Sequence, residues 1–79
     1  MRDSADERAL MAEQHRMQAE RAVIGGGLLN PSAIDVAAGI VKPEQFRYDV
    51  HGIVFRTMLA MRDRGHSGID VLTVAKELD

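Results

Sequence analysis

The segment Val23–Asn30, with the sequence VIGGGLLN, decides how the first part of the chain folds. Its three glycines, Gly25, Gly26 and Gly27, fit a phosphate-binding loop, a flexible break or a helix. A phosphate loop of the GxxxxGK[ST] type needs a lysine and a hydroxyl residue after its glycines, but Leu-Leu-Asn-Pro follows here. The aliphatic pairs on either side keep the phase of a helix. We therefore predict a continuous helix in which the bare strip around Gly26 lets a second helix backbone approach closely.

The residues before this segment favour a helix but provide few apolar side chains that could pack against another element. Ser4 and Glu7 fit a capping box, and no proline occurs between Glu7 and the glycines. Apolar side chains recur every seven residues, but charged and amide side chains occupy the other positions that a coiled-coil seam requires. We predict that residues 1–14 form an arm, either a polar helical extension or a fraying segment, and we favour an arm that becomes ordered only against a partner. Residues 15–79 then form the folded domain.

Turn signals divide the remaining chain into further helices. Asn30-Pro31 supplies a cap and a first-turn proline for a helix over residues 32–41. Residues 42–46, KPEQF, predict a single helical turn. Asp49 is the predicted cap of a third helix over residues 49–64.

The third helix has a wider apolar surface than a helix with one exposed face requires, so we expect it at the centre of the core. Its apolar side chains form two stripes, Val50, Ile53, Val54, Thr57, Met58 and Met61 on one and Phe55 and Leu59 on the other.

A last helix follows a short loop. Gly65 suits the left-handed position after a helix, and Asp70 is the predicted cap of a helix that reaches Leu78. A strand over residues 69–74 competes, because β-branched side chains are frequent there. The whole pattern predicts an all-α fold, a small orthogonal bundle of about five helices.

Composition limits the function. With 79 residues and 46% hydrophobic content, one small domain is possible, and catalysis by this chain alone is not expected. The chain contains no cysteine, no tryptophan and no apolar run of about 20 residues, so disulfides, cysteine-bound zinc, aromatic stacking of single strands and a membrane span are not expected. A net charge of −2 gives no general attraction to DNA. We expect a cytoplasmic protein that does not associate with membranes.

No group of residues predicts a catalytic, cofactor or metal site. His15, His51 and His66 lie far apart and lack the spacing of metal ligands. We expect His51, near the start of the third helix, to be structural. The candidate partner contacts are Met11 and Met17 in and near the arm, whose side chains adapt readily to a partner, together with Arg47 and Tyr48.

Three segments, QAERAVIGGGLLN, KPEQFRYDVHGIVFRTM and GIDVLTVAKELD, together resemble the N-terminal domain of the bacterial replicative DNA helicase, the DnaB family. The likeness covers about residues 15–78. Residues that match the family's motifs are Glu20, Val23, Ile24, Gly25, Gly26, Phe46, His51, Val54, Phe55, Asp70, Thr73, Val74 and Leu78. The chain departs from the family where Arg16-Met17 replaces a proline, where Arg47 replaces an aromatic residue, and in a longer loop around His66.

The resemblance implies a small helical head that precedes a helical hairpin and an ATPase domain. It also implies contacts with other helicase subunits in a hexameric ring, docking of the primase C-terminal domain, and contact with DNA only indirectly, through the rest of the helicase. Two alternatives stay open. One is a small DNA-binding domain with residues 70–79 as recognition helix, which the acidic balance of that segment disfavours. The other is a stand-alone regulator that uses the same fold to bind proteins.

Overall fold

The computed structural model describes residues 4–66 and 68–78, so the first three residues of the predicted arm and the final Asp79 lie outside the described residues. The order is α1 (Ser4–Leu29), α2 (Ser32–Ala38), a 3₁₀ turn (Pro43–Gln45), α3 (Asp49–Asp63) and α4 (Val71–Leu78). No strand occurs in these ranges, so the all-α prediction is confirmed.

The number of helices differs from that prediction, whereas the predicted last helix forms and the competing strand does not. The described residues form four α-helices and one 3₁₀ turn, where about five helices were predicted. The competing strand over residues 69–74 does not form, because α4 begins at Val71. Asp70 precedes this helix and accepts a hydrogen bond from the Thr73 backbone amide at 2.9 Å, while the Thr73 hydroxyl accepts from the Asp70 amide. This reciprocal pair satisfies amides that a strand would leave without these partners.

Helix α1 runs without a break through the three glycines, as predicted, and its 26 residues span about 39 Å. The predicted close approach at Gly26 is wrong, because a Cβ atom added at Gly25 or Gly26 would have no neighbour within 4 Å. At Gly27 the added Cβ would lie 2.6 Å from Met58 Cε and 2.9 Å from Ile34 Cγ1. Each residue turns a helix by about 100°, so Gly27 faces the core where Gly26 does not. The neighbours are also side chains, not backbone.

Helix α3 is the centre of the core, as its composition predicted. Its Phe55, Met58 and Met61 are fully buried, as is Ile34 of α2. The other buried apolar residues are Phe46, Ile69 and Val74. Partly buried residues that pack against the core cluster are Ile24, Leu28, Val54 and Leu59.

The predicted stripe on α3 is partly wrong. Val50 and Ile53 leave 68% and 50% of their surface exposed. Met58 and Met61 of that stripe are buried, and the other buried positions of α3 are Gly52 and Phe55. The cause is where the neighbours lie: the 3₁₀ turn packs directly on Gly52, where an added Cβ would be 2.7 Å from the Pro43 carbonyl oxygen.

Local hydrogen bonds fix the connections. The Asn30 side chain accepts from the Ser32 amide and hydroxyl at the start of α2. In the 3₁₀ turn, the Lys42 amide donates to Gln45 Oε1 at 2.8 Å. Gly65 has a φ of 79°, the left-handed conformation predicted for the residue after α3. Helix α3 contacts the 3₁₀ turn, α2 and α4, and α1 packs on both α2 and α3.

Candidate functional site

A buried carboxylate joins α1 to the start of α3. Glu20 is 9% exposed and accepts hydrogen bonds from the Arg47 amide at 2.5 Å, the Tyr48 amide at 3.3 Å and His51 Nδ1 at 2.7 Å. Because an ionised carboxylate only accepts, Nδ1 of His51 carries the shared proton. We call Glu20, Arg47, Tyr48 and His51 the Glu20 cluster.

The Glu20 cluster replaces a local helix cap. Asp49 was predicted to cap α3, but α3 begins at Asp49 itself, and the preceding Tyr48 makes no side-chain cap. The cap is the carboxylate of Glu20, which lies 27 residues before Arg47 in the sequence. It accepts hydrogen bonds from the backbone amides of Arg47 and Tyr48, just before α3 begins. A negative charge at this position also interacts favourably with the positive end of the helix dipole.

The electrostatics of Glu20 combine two opposing effects. Burial raises the pKa of its carboxyl, but the hydrogen bonds from His51, Arg47 and Tyr48 outweigh burial. The pKa of Glu20 therefore lies below its ordinary value of 4.5, and the carboxylate is ionised at neutral pH. A charged, nearly buried group with three donors holds the two helices in one fixed register.

A second carboxylate of α1 contacts the same segment. Glu13 accepts from the Tyr48 hydroxyl at 2.5 Å and from Arg47 Nε at 3.2 Å. The bond from Tyr48 lowers the pKa of Glu13 most, followed by the bond from Arg47, and the same bond to Glu13 raises the pKa of Tyr48. Glu13 and Glu20 are seven residues apart, about two helical turns, and so lie on one face of α1.

The two acids change the interpretation of the predicted arm. Residues 4–14 continue α1 as a polar helical extension, and not as the favoured arm that becomes ordered only against a partner. Glu13 lies within the predicted arm and yet contacts Arg47 and Tyr48 of the folded domain.

The predicted site residues fall into two groups. Phe46 and Phe55 are buried with their ring centroids 5.1 Å apart, and the His51 ring meets Tyr48 edge-on at 5.4 Å. Met11 and Met17, predicted as partner contacts, are both exposed. Arg47 and Tyr48, also candidate partner contacts, are already engaged by Glu13 within the chain.

Sequence reasoning missed the roles of Glu13 and Glu20. The available signal was position: Glu20 lies four residues before Ile24 and seven before Gly27, which places it on the packed face of α1. An acid on a packed face requires donors from elsewhere in the fold. Nothing local to α1 identifies the segment that supplies them.

Large apolar side chains remain exposed around the bundle. A groove of about 210 Å³ lies between α1 and the chain that follows α2. Its lining residues are Ala19, Glu20, Val23, Ile40, Val41, Gln45 and Phe46. Further exposed apolar residues are Leu29, Val36, Val50, Ile53, Val71, Leu72 and Leu78. Within the described residues, large apolar side chains are thus exposed on α1, α2, α3 and α4.

Two arginines at the end of α3 form ion pairs. Arg62 donates to Asp35 through Nε at 3.1 Å and through Nη2 at 2.8 Å, and Arg64 pairs with Glu77 of α4. The hydrogen bond from Arg62 lowers the pKa of Asp35. Lys76 is then the only basic residue of α4.

Within the described residues, no three His, Asp or Glu side chains are grouped so as to hold a metal ion. The same ranges contain no helix with the length and apolar character needed to cross a bilayer.

Comparisons with known proteins agree with the resemblance. The family model described as the DnaB-like helicase N terminal domain matches residues 12–79. The replicative DNA helicase DnaB of Geobacillus stearothermophilus is 40% identical over 62 residues, which are 78% of this chain and 13% of that protein. The replicative DNA helicase DnaC of Bacillus subtilis (strain 168) is 37% identical over 62 residues, with the same coverage. The replicative DNA helicase DnaB of Rhodothermus marinus is 37% identical, and the match spans 6% of its length.

No solved structure gave a significant match. The chain spans only 13% of the first two relatives, so it is similar to one part of each. With the family model matched over residues 12–79 and the helical fold in place, the chain belongs to the family of DnaB-like helicase N-terminal domains.

Proposed function

We propose that this chain is a non-catalytic assembly and docking module of a replicative DNA helicase in the cytoplasm. It contributes to subunit contacts of a hexameric ring and docks the primase C-terminal domain during DNA replication. Its mechanism is burial of helix faces against another protein, with no bond made or broken. ATP binding, hydrolysis and contact with DNA belong to the parent helicase.

The observation that carries the proposal is the exposed apolar surface. Ile40 is 79% exposed at the rim of the groove beside α1, and Leu72 is 67% exposed on α4. Burying such side chains contributes roughly 25 cal/mol per Å² of apolar surface. Exposed apolar patches are typical of protein interfaces. The family match supports the choice of a helicase as the parent protein.

Sedimentation velocity tests the proposal directly. The chain is run alone and mixed with the primase C-terminal domain of the same source. We expect a monomer or weak dimer alone and a faster-sedimenting complex in the mixture. Ile40→Asp is expected to weaken the complex, whereas Arg56→Lys, an exposed conservative change on α3, leaves it intact. If neither the chain nor the full-length product of its gene binds the primase domain, primase docking is refuted.

A DNA-binding role is the second candidate, with α4 as recognition helix. Its charge disfavours this role, because Lys76 is accompanied by the preceding Asp70 and by Glu77. Insertion into a phosphate-lined groove requires basic side chains at the helix surface. A gel shift with duplex DNA that weakens steeply with added salt would favour this candidate over docking.

A third candidate is a stand-alone regulator that uses this fold to bind proteins. Its chemistry would be the same burial of helix faces, so the fold alone does not separate it from a helicase module. The length of the gene and its neighbours separates the two.

A further inference from the structure

One stripe of α1 runs along the apolar groove beside this helix. Its members, in chain order and at helical spacing, are Arg16, Ala19, Val23 and Gly26. Ala19 and Val23 form one wall of the groove, and the chain after α2 forms the other. In that second wall, Ile40 is 79% exposed. The groove is therefore an open apolar surface with a helix along one side.

The stripe includes a glycine whose open side faces no other described residue. An added Cβ at Gly26 would meet no atom within 4 Å, whereas one at Gly27 would press on Met58 and Ile34. Packing within the chain thus accounts for a glycine at position 27 and not at position 26. A glycine inside a helix is less stable than an alanine. What it gains at position 26 is room for another helix to approach the backbone of α1 closely.

The unpaired charges beside the groove are basic. Within the described residues, Arg16 and Lys42 form no ion pair. Arg16 lies one helical turn before Ala19, in the first wall, and Lys42 directly follows Val41, in the second. Each wall of the groove therefore has a cation next to it, and both cations are exposed.

The carboxylates near the groove are already bonded. Glu20 is the only acid among the residues that line it, and its oxygens accept from the three donors of the Glu20 cluster. Glu13, which lies nearest to Arg16 in the sequence, accepts from Arg47 and Tyr48. A partner at this groove thus meets free cations beside an apolar surface.

We propose that the groove docks an amphipathic helix of a partner protein. The apolar face of that helix lies against Ala19, Val23 and Ile40, and its acidic side chains lie beside Arg16 and Lys42. Charge selects this partner, because a helix with basic side chains would meet like charges at both walls. Docking of a helix in a groove depends on apolar side chains at helical spacing in the partner. The inference rests on the proposed docking function and assigns it a surface and a partner chemistry.

Two synthetic peptides test this chemistry on the whole chain. Each is stapled into a helix, because short isolated helices are unstable in water. Both carry leucines along one face, flanked by glutamates in one peptide and by lysines at the same positions in the other. We expect the glutamate peptide to bind roughly tenfold more tightly than the lysine peptide. Nuclear magnetic resonance titrations should show the largest shifts at the backbone amides of Ala19, Val23, Ile40 and Val41.

Neutralising the two cations tests the charge selection. The double variant Arg16→Gln with Lys42→Gln is expected to bind the glutamate peptide roughly tenfold more weakly than the wild-type chain. The lysine peptide should bind this variant no more weakly than it binds the wild-type chain. Arg56→Gln, which neutralises an exposed arginine of α3 outside the groove, is the matched control and leaves the binding of both peptides unchanged.

The glycines supply a second test that does not depend on charge. Gly25 and Gly26 have equal space around them, but adjacent residues of a helix point about 100° apart. Gly26→Leu fills the stripe and is expected to weaken the glutamate peptide roughly tenfold. Gly25→Leu, outside the stripe, is the matched control and retains binding. Thermal melts confirm that both variants are folded.

Several outcomes overturn the inference: no binding of the glutamate peptide up to roughly 1 mM, equal binding of the two peptides, or equal effects of the two glycine variants. Shifts of the groove amides with the chain's own concentration, and not with the glutamate peptide, would assign the groove to a second copy and also overturn it.

Binding of the primase C-terminal domain is measured on the same variants. A chain that binds this domain but not the glutamate peptide overturns the inference and leaves primase docking standing. A chain that binds the glutamate peptide in the groove but not the primase domain supports the inference and refutes primase docking.

Discussion

Glu20 shows how one side chain can act as a helix cap and as a contact between two helices at the same time. It is ionised, nearly buried and surrounded by donors from three residues of the segment that begins α3. Removing the charge leaves donors facing a weaker acceptor, and unsatisfied buried groups cost more than a hydrogen bond contributes.

We expect Glu20→Gln to lower the free energy of unfolding by about 1–3 kcal/mol. The new side-chain NH₂ group is itself a donor and would face the donors of Arg47, Tyr48 and His51. Urea denaturation followed by circular dichroism measures the change. Glu13→Gln is the matched control: Glu13 is more exposed, and we expect the smaller loss there. Equal stability of the wild-type and Glu20→Gln chains would contradict the role of Glu20 as the tie between α1 and α3.

Stability should also depend on pH through Glu20. Its pKa is lower in the folded chain than its ordinary value of 4.5, so the unfolded chain binds the proton more readily. The contribution of Glu20 is fully present above pH 4.5 and is lost as the pH falls through the lower, folded pKa. We therefore expect the stability difference between wild-type and Glu20→Gln chains to be constant above about pH 5.5 and to shrink below pH 4.5. Urea titrations at several pH values test this, and a difference that grows on acidification would contradict the direction given.

At the scale of the elements, the glycines of α1 are not equivalent. Gly26→Ala introduces a methyl group into open space and improves helix propensity, so we expect stabilisation of about 0.4–1 kcal/mol. Gly27→Ala gains the same propensity but forces a methyl group against the fully buried Met58 and Ile34. Overpacking of this kind costs about 1–3 kcal/mol, so Gly27→Ala should be less stable than Gly26→Ala. Thermal melts of the two variants compare them, and equal melting temperatures would contradict the packing described.

The junction between α3 and the 3₁₀ turn is the other tight contact. Gly52→Ala would place a methyl group 2.7 Å from the Pro43 carbonyl oxygen, and backbone yields less readily than a flexible side chain. We expect a loss of about 1–3 kcal/mol in unfolding free energy, measured by urea denaturation. Gly68→Ala, where an added Cβ meets no atom within 4 Å, is the control and should change stability little. A Gly52→Ala chain as stable as the control would show that the turn can shift away from α3.

Sequence patterns predicted where the helices begin and end better than which of their faces are buried. Asn30-Pro31, Gly65 and Asp70 act locally, through caps and turns, and the helix bounds near them follow from neighbouring residues. The buried face of a helix depends on distant segments instead. For α1 that face carries Glu20 and Gly27, which periodicity alone counts as polar or neutral. For α3, the apolar Val50 is exposed, whereas Gly52, which has no side chain, is the position on which the 3₁₀ turn packs.

At the scale of the whole molecule, the first turns of α1 lie outside the hydrophobic core. The contacts of Glu13 and Glu20 tie the helix to α3, while the region before residue 12 lies outside the family match. We expect a chain that begins at residue 12 to melt within a few degrees of the full chain, because its core remains. A large fall in melting temperature would show instead that the first turns of α1 support the core.

Tyr48 is the only tyrosine of a chain without tryptophan, and its hydroxyl donates to Glu13. The chain therefore carries an intrinsic optical reporter at one defined contact between α1 and the start of α3. Because the chain has no tryptophan, the fluorescence of Tyr48 can be recorded without interference. We expect this fluorescence to change when the Glu13 carboxylate moves away from the Tyr48 hydroxyl. Detachment of the arm can be followed in real time, without a dye, while the far-ultraviolet signal of the helices stays constant.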